Sequence, residues 1–95
     1  MHLKVYRIDG TKKLVAACDR ELINTTIKDS DIEITISDKF YGTQTATEEE
    51  LAEALKDADN ANLMGKKVIE AAEKCGAIQK EDCIYINGIP HVQIL

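Results

Sequence analysis

The chain has 95 residues, 44% of them hydrophobic and 31% charged. That length is one domain, 1–95, and that balance excludes a disordered polypeptide, which carries far less apolar material. The net charge of −5 argues against free nucleic acid as a non-specific partner, because such binding depends on Lys and Arg neutralising phosphates.

The charge is uneven: +2 over residues 1–30, −7 over 31–60 and 0 over 61–95. Most of the acid falls on one predicted helix and reads as its solvated face. Lys4, Arg7, Lys12 and Lys13 form a candidate basic patch. No apolar run approaches the ~18 residues of a membrane span. The amino terminus lacks the layout of a secretory signal, so the expected location is cytoplasmic, with no membrane partner. Cys18, Cys75 and Cys83 are odd in number and contain no Cys-x-x-Cys pair. That argues against a disulfide framework, and the recurrence of Cys75, Cys83 and His91 every eight residues is only a weak zinc signal. The expectation is no metal and no cofactor.

In chain order, Leu3 to Ile8 alternates, Asp9-Gly10 turns, and Leu14 to Cys18 is apolar again, which predicts a β-hairpin. Asp19 to Leu22 reads as a short helical turn capped by Asp19. Residues 31–36 put Ile32, Ile34 and Ile36 on one face of a strand. A loop carrying Phe40-Tyr41-Gly42 follows. Thr47 and Glu50 form a capping box for a helix with Leu51, Leu55 and Ala58 on one stripe. Met64, Val68, Ala72 and Cys75 share one face of a second helix, capped by Asp59, Asn60 or Asn62 and ended by Gly76. The chain closes with a hairpin about Asn87-Gly88. The predicted order is β-β-β-α-α-β-β. It describes an α+β fold, with a mainly antiparallel sheet of two hairpins and a middle strand and a helix pair on one face.

The last hairpin has two registers. A plain Asn87-Gly88 turn sets Ile84 opposite His91. A bulge near Ile89-Pro90 sets Tyr85 opposite His91 and separates apolar from polar cleanly. The pattern favours the bulge, with Tyr85, His91 and Gln93 on one surface and Pro90 at the bulge or an edge. Residues 60–67 lack the first glycine of a phosphate loop and carry Lys67 where it needs Ser or Thr. Gly65 inside a helix implies close packing, and Asn62 reads as a cap. No catalytic triad, dinucleotide fingerprint or metalloprotease spacing is present.

Phe40-Tyr41-Gly42, Ala61-Asn62-Leu63-Met64-Gly65 and Gly88-Ile89-Pro90-His91-Val92-Gln93 together resemble an uncharacterised archaeal family, domain of unknown function 424. Val5-Tyr6-Arg7 and Ala17-Cys18-Asp19 fit as well. The resemblance implies an archaeal, intracellular setting and no established activity. It marks Tyr41, Gly42, Asn62, Gly65, Pro90, His91 and Gln93 as a shared surface. Thr43 departs from a common second glycine, and Lys66 from a common acidic residue.

Three functions follow as expectations. The first is a binding module for a protein or ribonucleoprotein, in translation or RNA handling. The second is a small enzyme using His91 as general acid or base, oriented by Tyr85, Gln93 or a carboxylate. The third is a structural homodimer paired through the apolar strand that ends in Ile94-Leu95. Tyr41, Asn62 and His91 are expected to converge on one surface, with Lys66 or Lys67 meeting the charge of a phosphate-bearing partner.

Overall fold

The computed structural model describes residues 1–95. Its strands are β1 (His2–Ile8), β2 (Lys12–Cys18), β3 (Thr25–Asp29), β4 (Ile32–Ile36), β5 (Asn60–Met64), β6 (Ile84–Ile86) and β7 (Ile89–Ile94). Its helices are α1 (Asp38–Tyr41), α2 (Glu48–Leu55) and α3 (Lys66–Lys74). Short 3-10 turns occupy Arg20–Leu22 and Lys80–Asp82.

The main sheet has the order β1-β2-β5-β7-β6, and β3-β4 is a separate two-stranded ribbon. The fold is α+β, but the sheet is mixed, because β2 and β5 run parallel. The middle strand expected at residues 31–36 is β4, and it joins the ribbon rather than the sheet.

Residues 60–64, expected to cap or open a helix, form a central strand instead. Ala61 and Leu63 point to one face, and Asn60, Asn62 and Met64 to the other. Lys13 anchors this strand from β2. Its N–H donates to the Asp59 carboxylate at 2.8 Å, its carbonyl accepts from the Asp59 N–H at 2.9 Å, and its ammonium meets Asp57.

Helices α2 and α3 cover one face, over Val15, Ala17, Ala61, Leu63 and Val92. The expected capping box starts α2: Glu50 N–H donates to Thr47 Oγ1 at 3.1 Å, and Thr47 N–H to Glu50 Oε1 at 3.0 Å. The opposite face carries Ala16, Cys18 and Met64. Tyr41 of α1 and Ile27 and Ile36 of the ribbon pack against it. The sheet is thus covered on both sides over much of its area, which sets the environment of His91.

The carboxy-terminal hairpin adopts the plain register, with Ile86 opposite Ile89, Tyr85 opposite Pro90 and Ile84 opposite His91. The bulged register is overturned for two reasons. Asn87 and Gly88 have φ of 49° and 79°, the left-handed pair of a tight hairpin turn that fixes the register. The face carrying His91 is also partly covered, since the ribbon packs beneath Ile86 and His91 itself is buried, while Ile84 and Gln93 on the same face stay exposed. Clean polar–apolar separation therefore has no energetic advantage there. Strand β7 is interior, paired to both β5 and β6. The terminal strand is therefore no free edge, which removes the dimer geometry expected from it; the edges are β1 and β6.

Candidate functional site

Three side chains from distant parts of the chain meet on the ribbon-bearing face. Tyr41 hangs from α1. This helix starts where the Ser37 side chain accepts from the Lys39 N–H and ends at Gly42, whose φ is 79°. Asn62 projects from the middle of β5, and His91 from β7, where it pairs with Met64. The Tyr41 hydroxyl donates to Asn62 Oδ1 at 2.8 Å, and His91 Nε2 lies 3.1 Å from the same oxygen. Asn62 is therefore the hub.

The chemistry of the three groups fixes the protons. Burial pushes the Tyr41 phenol well above its usual range, so it remains a donor at neutral pH. Burial pulls His91 below its usual value, so the imidazole is neutral. With one proton to place, Nε2 donates to Asn62 and Nδ1 keeps a bare lone pair. His91 Nδ1 is buried without a partner. The opposite tautomer would strand an N–H donor there, a costlier arrangement because a buried orphan donor loses its full hydration. Asn62 Oδ1 then takes two donors, and its Nδ2 amide, with no protein acceptor and not among the buried orphan atoms, presents outward.

The other sequence-derived candidates divide. Gln93 is exposed and lies directly beside Asn62 in the sheet. Gly42 is half-buried against Lys4, whose Cβ would lie 3.2 Å from an added Cβ. Tyr85 is 65% exposed and points to the opposite face from His91, so it does not belong to the cluster. Pro90 is buried and structural: its carbonyl accepts from the Gly65 N–H at 2.9 Å. Its missing N–H costs nothing opposite Tyr85, where a tight two-residue turn leaves a non-hydrogen-bonded pair. Lys66 and Lys67 are exposed at the start of α3.

Gly65 is not within a helix but precedes α3, with φ of 110°. The cap of α3 is Asp19, which the sequence reading assigned to the turn after β2. Its carboxylate accepts from the N–H groups of Lys67 at 3.0 Å and Val68 at 2.9 Å. The turn at Arg20–Leu22 receives no side-chain bond from Asp19. The signal available in sequence was an acid ending an apolar strand. The strand pairing that brings it under α3 is non-local.

Tyr41, Asn62 and His91 line none of five clefts on the surface. Nowhere do three His, Cys, Asp or Glu side chains gather as a metal site. No helix is long and apolar enough to cross a membrane.

The fold has a solved counterpart. An uncharacterised conserved protein from the archaeon Methanopyrus kandleri superposes with a TM-score of 0.81 at 22% identity, covering 99% of this chain and 90% of that one. At that identity the likeness is one of fold. A search of curated proteins finds no match. The model of a family described as a protein of unknown function, DUF424, matches residues 6–95, and the chain belongs to that family.

Proposed function

We propose that this protein is a binding module for a protein or ribonucleoprotein partner, and that Asn62 and Gln93 are its oriented polar contacts. One observation carries the reading: Tyr41 and His91 both donate to Asn62 Oδ1, so the amide nitrogen is held in one direction. A pre-oriented donor on a rigid strand binds with less ordering cost than a free one. The neighbouring Gln93 adds a second amide in register. Together the two side chains supply donors and acceptors but no charge, which suits peptide groups or nucleobase edges.

An acid–base role for His91 has little support. His91 is 8% exposed, its Nε2 is engaged by Asn62 and no carboxylate adjoins it. Dimerisation through the last strand has none, because that strand is interior.

The test is affinity capture from a lysate of the native cells, using the wild-type chain and Gln93→Lys as baits, each with and without nuclease. A partner held by the wild type and lost by Gln93→Lys is expected. Nuclease sensitivity would assign it to a ribonucleoprotein. Identical recoveries for both baits would overturn the role of this face, and recovery of the protein as a free species would overturn the binding-module reading.

A further inference from the structure

The edge strand β1 is paired on its outer side for only part of its length. The segment 44–46 runs alongside its start: Leu3 N–H donates to the Gln44 carbonyl at 3.1 Å, and Ala46 N–H donates to the Met1 carbonyl at 2.9 Å. His2 bridges Thr45 in the antiparallel sense. The outward groups of β1 therefore belong to its odd-numbered residues, because in an antiparallel strand N–H and C=O of one residue point the same way and alternate. The added segment stops at Gly42, where φ of 79° and the approach to Lys4 turn the chain away over the sheet. Beyond that point Val5 and Arg7 direct their N–H and C=O groups to an edge with no partner strand.

This open edge is flanked by a cleft on each side. One, of about 740 Å³, is lined by Leu3 and Val5 together with Lys4 and Lys39. The other, of about 720 Å³, shares Leu3 and Val5, adds Ala54, and is otherwise lined by charge of both signs, most of it paired, Lys13 with Asp57 and Lys56 with Glu53. The two clefts thus lie on opposite faces of the same strand. An incoming extended chain would send alternate side chains into each. Residues opposite Lys4 would enter the cleft with two lysines. The one carboxylate there, Asp38, is held by Asn24. Residues opposite Val5 would rest on Leu3, Val5 and Ala54.

We propose that the β1 edge from Lys4 to Ile8 is a strand-addition site for an extended segment of a partner protein, acidic and apolar in alternation. It continues the line begun by residues 44–46. This inference rests on the binding-module reading and names the kind of partner, but it uses a surface two strands away from Asn62. Main-chain hydrogen bonds supply affinity in this mode, and the alternate side chains supply specificity. Acid specificity follows from Lys4 and Lys39, because like charges directly opposite each other across strands repel.

The full chain is titrated with an acetylated, amidated hexapeptide of alternating Glu and Val, read by amide chemical shifts. Saturable shifts at Val5 and Arg7 are expected. Three changes should weaken binding at least tenfold: Lys in place of every Glu, N-methylation of the Val residues, whose N–H groups face β1, and Val5→Pro in the protein. N-methylation of the Glu residues, whose N–H groups face away, should leave binding unchanged. Val5→Pro should keep its melting temperature, because the lost N–H bonds nothing in the fold; Arg7→Pro serves as the second variant. Equal binding of the Lys peptide or the N-methyl-Val peptide, or no shifts at Val5 and Arg7 at millimolar peptide, overturns the proposal. A dimer by sedimentation that Val5→Pro dissolves would assign the edge to a second copy of the chain and also overturn it. Gln93→Lys should bind the peptide normally. Peptide failure beside intact Gln93-dependent capture would sink this inference alone.

Discussion

Asp19 and Gly65 approach so closely that a Cβ built on Gly65 would stand 2.4 Å from Asp19 Cγ. The contact joins the end of β2 to the start of α3, since the same carboxylate bonds Lys67 and Val68 N–H. Gly65→Ala combines that overlap with a φ of 110°. It should cost about 3 kcal/mol, in the upper range for backbone strain and overpacking. Asp19→Ala should cost roughly 1–2 kcal/mol, the loss of a helix cap. Urea unfolding midpoints for both variants check this, and a cost below that of an ordinary surface substitution would show that the loop can relax.

The Tyr41–Asn62–His91 hub makes a second set of expectations. Tyr41→Phe removes one of two donors to a single oxygen and should cost about 1 kcal/mol. Asn62→Leu leaves a phenol and an imidazole N–H without an acceptor and should cost more, on the order of 2–4 kcal/mol. The double variant should cost less than the sum, because both changes act on one bond. Additivity in a double-mutant cycle would mean that the hydroxyl and the amide are not coupled in solution.

Acid should weaken the fold through His91. Burial lowers its folded-state pKa from the ordinary 6.5, so below about that pH the unfolded chain binds a proton that the folded chain refuses. Stability is then fully present above pH 6.5 and is lost as pH falls towards the lowered folded value. Denaturant midpoints measured from pH 8 to pH 4 should show this slope, and His91→Gln should flatten it. An unchanged slope in His91→Gln would place the acid sensitivity elsewhere.

The cysteines should react in a fixed order. Cys75 is exposed and should label at once. Cys83 is half-buried, and burial pushes its thiol up, so it should follow more slowly. Cys18 is fully buried, and burial above all raises its pKa to about 12, so it should label only when the protein unfolds. Timed alkylation followed by peptide mass analysis reads the order directly. Early modification of Cys18 in native buffer would contradict the packing of β2 beneath α1 and the ribbon.

Several elements were legible in sequence because their causes are local. Thr47 and Glu50 are three residues apart, and their capping box forms from the backbone between them. Gly76, with φ of 81°, closes the helix it follows. Asn87-Gly88 turns the last hairpin whatever lies around it, and Ile32, Ile34 and Ile36 alternate as a strand should. The convergence of Tyr41, Asn62 and His91 was expected, but from a placement of Asn62 at a turn or helix start; it arises instead because β5 and β7 are neighbours in the sheet and Tyr41 reaches Asn62 from α1.

What the sequence could not determine was decided by partners far along the chain. Residues 60–64 carry two asparagines, weak strand formers, and became a central strand because β2 pairs with them in parallel across more than forty residues. Asp19 looked like a local cap and instead capped a helix that starts 47 residues later. Tyr85 was separated from His91 because the ribbon covers the face where a polar surface was expected, leaving the turn to set the register. In each case the short-range pattern admitted two structures of similar local energy, and the deciding energy was burial against an element the pattern does not contain.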